Sequence, residues 1–217
     1  MPIIKFVNED ENIEYAKEQD LCSLLCYAFD SEKTEFQGHR LVGCKPFGFP
    51  QEYMTNPLAV HEFMEFNHKR QYKYQGPFAK HRVISFTQQE CWYLGSLKSV
   101  AENIIAFYAE RGYIAAYAVH GNTKNYHIHI IVDMLSYQDL TLFHMSRGYE
   151  SSNINAILNI RFQQYFVSKI PNYKTFKDCT FEASFKSVVQ LDLLWQLHWQ
   201  ERKDIDFLSF HCVPASK

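Results

Sequence analysis

The segment Tyr113-Ile-Ala-Ala-Tyr-Ala-Val-His120-Gly-Asn-Thr-Lys-Asn-Tyr126-His-Ile-His-Ile-Ile-Val-Asp-Met-Leu135 decides the fold. It reads as two strands, 113–120 and 126–135. The polar loop Gly121-Asn-Thr-Lys-Asn125 separates them, which makes a β-hairpin the natural reading. Side chains two apart in a strand share a face. His127 and His129 therefore project together, while Tyr126, Ile128, Ile130 and Val132 point the other way and can be buried. Closing the hairpin sets His120 opposite His127, so three imidazoles converge on one face of adjacent strands. Ala116 and Ala118 share that face with His120, and their small side chains leave room for a substrate.

Outward from the hairpin, Leu97–Arg111 is the clearest helix. Its apolar stripe is Leu97, Val100, Ala101, Ile104, Ile105 and Tyr108, and Gly112 stops it. His81–Thr87 is strand-like and Ala59–Lys69 weakly helical. Gly43 to Pro50 is loop, and Gly38–Cys44 a short strand. Asn12 through Phe29 has a helical stripe of Ile13, Ala16, Leu21, Leu24, Leu25 and Ala28, and Ile3–Val7 is a first strand. Downstream, the patterns give a strand at Leu140–Met145, helices at Asn153–Lys169 and near Ser187–Lys203, and a last strand at Asp206–Val213. Strands and helices mix without a βαβ rhythm around a central hairpin. The fold class is therefore α+β, a central antiparallel β-sheet with helices packed on it. With 217 residues, 47% of them hydrophobic, and no linker, one domain over 1–217 is the simplest organisation.

No apolar run approaches the roughly 20 residues of a membrane span, and the N-terminus lacks a secretory signal. The six cysteines form no paired framework. Cys22, Cys26, Cys91 and Cys212 lie in apolar surroundings and read as reduced core thiols, which points to a cytoplasmic protein. The net charge of −2 is low for a nucleic-acid binder, but charge is unevenly distributed. Residues 1–36 hold nine acids against three lysines, whereas Phe66 to Gln89 has no acid. Lys69, Arg70, Lys73, Lys80 and Arg82 fall in that stretch, interleaved with Tyr72, Tyr74 and Phe78. Basic groups among stacking rings suit a nucleic-acid strand, and these five are candidate DNA contacts. His81, at the head of an apolar strand, is structural or a further phosphate contact. The other reading of this segment is a solvated surface.

Three neutral imidazoles make a facial set of nitrogen ligands and leave other positions of a cation open for substrate oxygen. His120, His127 and His129 are thus the candidate metal ligands. Each needs an outer partner on its second nitrogen. Asp133 on the same face and Asn122 in the loop are candidates.

His120-Gly-Asn-Thr-Lys-Asn-Tyr-His127-Ile-His129, with the apolar run after it, resembles the H-x-D-T-D-N-x-H-x-H motif of MobA/MobL-type relaxases, mobilisation nucleases of the HUH endonuclease superfamily. Upstream, Tyr27-Ala-Phe-Asp-Ser-Glu-Lys33-Thr34 is similar to the family segment that carries the nucleophilic tyrosine. The resemblance covers roughly 1–135, with 136–217 left as completion of the same domain. It implies a relaxase-like HUH domain that nicks single-stranded DNA at an origin of transfer with magnesium or manganese. It also implies relaxosome accessory proteins and a coupling protein as partners. Asn122 stands where the family usually has aspartate, Lys124 where a second acid is common, and Asp133 where Asn is frequent.

The resemblance makes Tyr27 the nucleophile and Lys33 a phosphate contact; periodicity alone makes Tyr27 a helix-flank aromatic. Tyr15, about three turns earlier on a continuous helix, is too distant. Tyr165 follows the histidines in chain order, as in single-tyrosine HUH transposases and replication initiators, and is the alternative nucleophile. A phenol can attack a phosphodiester and later leave, so the bond energy is kept and no ATP site is needed. No G-x-x-x-x-G-K-[ST] loop is present. Two other function classes fit: a catalytically weakened DNA-binding protein of the same fold, and a metal hydrolase in which water attacks.

Overall fold

The computed structural model describes residues 2–11, 13–36, 38–45, 53–87 and 94–166. The chain divides into two compact units, Met1–Gln164 and Tyr165–Lys217, and the first carries everything below. The helix expected near 187–203 and the strand at 206–213 lie outside the described residues.

A five-stranded antiparallel sheet runs in the order β1-β5-β7-β6-β4. Its strands are β1 (Ile3–Phe6), β4 (Val42–Lys45), β5 (Ala79–Phe86), β6 (Tyr113–His120) and β7 (Tyr126–Ser136). A separate short pair, β2 (Glu35–Phe36) and β3 (His39–Arg40), sits on the connection into β4. The helices are α1 (Val7–Asp10), α2 (Glu18–Ala28), α3 (Ser31–Thr34), α4 (Pro57–Arg70), α5 (Leu94–Ala109) and α6 (Arg147–Phe166). No helix among the described residues is long and apolar enough to cross a membrane.

Each face of the sheet is closed by helices. Alternation along β6 and β7 sends Ala116, Ala118 and Ile131 to one face, where they join Leu21, Leu24, Leu25 and Ala28 of α2 and Val60 and Met64 of α4 in one core. Ala116 and Ala118 are therefore small because α2 packs close over them; the space expected there for substrate is filled by helix. Ile128, Ile130 and Val119 are buried on the opposite face, where α5 lies over β6 and β7. Ser136 ends the central ladder. The strand expected at Leu140–Met145 reduces to one bridge, Leu135 with Leu142, because the chain turns at 137–139 and Leu140 takes a left-handed φ of 60°.

Three helix starts have local causes. Asn56 accepts hydrogen bonds from the amides of Leu58 and Ala59, and Pro57 opens α4 at the position that needs no N–H. The apolar stripe puts the first long helix at Asn12, but α2 starts at Glu18. There the Lys17 amide donates to Asp20 Oδ2 at 2.9 Å, and residues 13–16 run as an irregular segment that reaches the sheet. α6 begins at Arg147, six residues ahead of its expected start at Asn153. Glu150 is fully buried on its first turn.

The burial of Glu150 corrects the charge reading of the 66–89 segment. Arg82 is fully buried, its Nε 2.7 Å from Glu150 Oε1 and its Nη2 2.9 Å from Oε2. Tyr108 Oη also donates to Glu150. Arg82 is thus a core cation tying α6 to β5, with no face for a phosphate. Among the thiols, Cys44 is buried, Cys22 half-buried and Cys26 exposed, so the core placement fails for Cys26. Cys91 and Cys212 lie outside the described residues. Replacing Glu150 by Ala leaves the Arg82 guanidinium buried without its carboxylate. The expected loss is about 3–5 kcal/mol, read from urea unfolding; a loss under about 1 kcal/mol would show that Arg82 reaches water.

Candidate metal centre and nucleophile

The β6–β7 register pairs His120 with His127 and Ala118 with His129. One nitrogen from each of His120, His127 and His129 lies within 4.8 Å of the others. Ring centroids are 4.3 Å apart for His120–His129, 4.9 Å for His127–His129 and 5.0 Å for His120–His127. At the next residue, Gly121, a Cβ would lie 2.1 Å from the Phe36 ring and 2.6 Å from Tyr126, so any side chain there would push these rings aside.

Backbone carbonyls fix two of the rings. His120 Nε2 donates to the Ala28 carbonyl at 2.7 Å, one of the carbonyls left open at the end of α2. His127 Nδ1 donates to the Asn125 carbonyl at 3.3 Å. A carbonyl only accepts, so each bond protonates that nitrogen and leaves the other nitrogen its lone pair. His129 Nδ1 lies 2.8 Å from His81 Nε2, while its own Nε2 is buried without a partner. A buried polar atom normally has a partner. An orphaned imidazole nitrogen facing two more imidazoles fits a divalent metal.

Burial lowers the pKa of all three rings, most strongly for His129, where the neighbouring imidazoles also oppose a charge. The triad is therefore neutral at pH 7, the form that coordinates metal.

Tyr27, on the last turn of α2, is 51% exposed. Its ring centroid is 5.7 Å from those of both His120 and His129. Lys33 Nζ lies 4.0 Å from the Tyr27 ring centroid and 3.1 Å from Asp30 Oδ2. The Lys33 carbonyl also accepts from the Gly121 amide at 3.1 Å, tying α3 to the hairpin. Tyr27, Lys33 and the triad thus come together from α2, α3 and the hairpin. The Tyr165 side chain lies outside the described residues.

The other expected residues are placed differently. Asp133 is fully buried and does not orient the triad. Its Oδ1 is 2.6 Å from His68 Nε2 and its Oδ2 accepts from Asn67 Nδ2 at 3.0 Å, which pins α4 to β7. His68 therefore has a partner that its sequence surroundings do not reveal. Asn122 is exposed in the hairpin loop. His81 is buried, which removes it as a phosphate contact; it is instead the outer partner of His129. Lys69 pairs with Glu65, Arg70 donates to the Tyr137 carbonyl at 2.7 Å, and Lys73 lies 5.1 Å from the ring of the exposed Tyr72. Lys80 is half-buried, 4.0 Å from Glu9. Asn67, one turn before Arg70, binds the Leu135 carbonyl. Leu135 is six residues along β7 from His129, a span of about 20 Å, so Lys69 and Arg70 lie well away from the triad.

Sequence reasoning also misses Tyr15. Released from the helix, Tyr15 places Oη 2.9 Å from His81 Nδ1. Burial pushes its pKa up to about 12. No local signal reveals this contact, because it joins residues 66 apart.

A family model described as relaxase, MobA/VirD2-like, nuclease domain, matches residues 50–162. No curated protein and no solved structure matches the chain. The matched span holds the three histidines and extends beyond residue 135 into α6; Tyr27 and Lys33 precede it.

Manganese at about 100 times its dissociation constant should stabilise the protein by about 2.7 kcal/mol in urea unfolding. His129→Ala should abolish that gain. Equal stabilisation of the variant would place the ion elsewhere.

Proposed function

From the premise that the chain belongs to the MobA/VirD2-like relaxase nuclease-domain family, we propose that it nicks and rejoins single-stranded DNA at an origin of transfer, with Tyr27 as nucleophile. The observation that carries this reading is the half-exposed Tyr27 ring 5.7 Å from both His120 and His129 with the Lys33 ammonium beside it.

Tyr27 Oη attacks the scissile phosphorus, and the bond from phosphorus to the 3′-oxygen breaks. The phenol gives its proton to solvent and the departing 3′-oxygen takes one up. The products are a 3′-hydroxyl and a 5′-phosphotyrosine, and attack by that hydroxyl reverses the step. Lys33 neutralises phosphate charge beside the attacking oxygen. His120, His127 and His129 would hold a divalent ion, Mn2+ or Mg2+, which when bound would supply positive charge to the phosphate. The rings are held by the Ala28 and Asn125 carbonyls and by His81, so little reorganisation is needed as charge develops. Lys69, Arg70 and Lys73, with exposed Tyr72, offer a basic and aromatic track for the strand away from the nick. Accessory proteins of a relaxosome and a coupling protein belong to this reading as partners.

A second reading is a DNA-binding protein of the same family that has lost turnover. The exposed Asn122, standing where the resemblance places an acid, favours it. A denaturing gel with labelled single-stranded oligonucleotides from the neighbourhood of its own gene separates the two. With Mn2+, wild type should give a covalent protein–DNA band and Tyr27→Phe none. A band that survives in Tyr27→Phe would move the nucleophile to Tyr165. Nicking without a covalent band, equal in Tyr27→Phe, would mean that water attacks. DNA binding without cleavage would establish the binding protein.

A further inference from the structure

His81 and Tyr15 do more than fill space behind the triad. His81 Nε2 lies 2.8 Å from His129 Nδ1, with the ring planes within 19° of parallel and centroids 5.1 Å apart. His81 Nδ1 lies 2.9 Å from Tyr15 Oη. The backbone holds both ends. The His81 amide donates to Asn8 Oδ1, and the Tyr15 carbonyl accepts from the Phe78 amide at 2.7 Å. His81 and His129 are 95% or more buried.

Such a chain has two polarities. In one, Tyr15 donates to His81, His81 Nε2–H donates to His129 Nδ1, and the His129 proton must sit on Nε2. That places a buried N–H where the structure offers no acceptor and removes the lone pair a metal would need. In the other, His129 Nδ1–H donates to His81 Nε2 and His81 Nδ1–H donates to Tyr15 Oη. Only the second leaves a lone pair on His129 Nε2, the nitrogen without a protein partner, in a ring that shares a 4.8 Å cluster of one nitrogen each with His120 and His127.

We propose that His81, braced by Tyr15, is the positioning residue of the metal centre: it accepts the Nδ1 proton of His129 and so presents His129 Nε2 as a ligand. This rests on the metal-binding reading of the triad. His120 and His127 use backbone carbonyls for the same task. His129, in the middle of the sheet, has its amide and carbonyl neighbours committed to the ladder and needs a side chain. An imidazole is suited to it, because one nitrogen can accept while the other donates. Tyr15 then fixes which nitrogen does which.

Two measurements test this, and the first needs no metal and no variant of His81. Long-range proton–nitrogen correlation NMR of the apoprotein, with His129 assigned by its absence in His129→Gln, should show His129 protonated on Nδ1 and bare on Nε2. The opposite tautomer would overturn the proposal. The second is Mn2+ affinity by calorimetry. His81→Leu should bind about 10–100-fold more weakly than wild type. His81→Gln, whose amide oxygen can accept, should recover most of the loss, and Tyr15→Phe should lose less than His81→Leu. Wild-type affinity in a folded His81→Leu would overturn the proposal. Failure of His81→Gln to recover would reduce His81 to packing and overturn it equally. If His81→Leu does not fold, Tyr15→Phe and the tautomer decide. If wild type itself binds no Mn2+ while His129 is protonated on Nδ1, the metal reading fails and the hydrogen-bond polarity stands.

Discussion

The register between β6 and β7 is the constraint on which the site depends. Strand side chains alternate with a period of two, so a slip of one residue would turn His127 and His129 into the α5 face and carry Ile128 and Ile130 out of it. Burial on both faces forbids that slip. Ile128 and Ile130 are needed in one core, and Ala116, Ala118 and Ile131 in the other. The short loop then leaves His120 opposite His127 as the only outcome. Hydrophobic burial over the whole sheet thus fixes three polar residues at its end.

The same cores decide where the tyrosine stands. Leu21, Leu24, Leu25 and Ala28 hold α2 against the sheet, and the close approach is possible because the residues beneath are alanines. The helix ends at the triad, and its open Ala28 carbonyl meets His120. One turn of helix therefore serves twice: its backbone orients the His120 ring and its side chain sets the Tyr27 phenol beside it. Lys33, just beyond, is tied to the hairpin through the Gly121 amide. The arrangement is preorganised by backbone rather than by long flexible side chains, which lowers the entropy of assembling it.

What the sequence makes legible is what is local. Alternation in 126–132 reveals the strand, its buried face and the histidine pair, and the adjacent strand reveals the third imidazole. The stripe in 97–111 reveals α5. What it hides is carried by contacts between distant segments. Arg82 lies in a run without acids, yet its carboxylate is Glu150, 68 residues on. Asp133 sits on the face of the histidines, yet α4 covers it and His68 takes it. The stripe from Ile13 reads as continuous helix because apolar spacing cannot show that Asp20 caps the amide of Lys17 and frees Tyr15 to meet His81. The β5–β7 pairing that sets His81 beside His129 joins strands with β6 between them in sequence, so no turn announces its register.

The central claim is that the three imidazoles hold a divalent ion in front of Tyr27. Anomalous diffraction from crystals grown with Mn2+ tests it most directly. The account predicts one strong anomalous peak within bonding distance of His120, His127 and His129, on the side where the Tyr27 ring lies. A peak bound only by surface carboxylates, with His129 Nε2 facing no density, would contradict it.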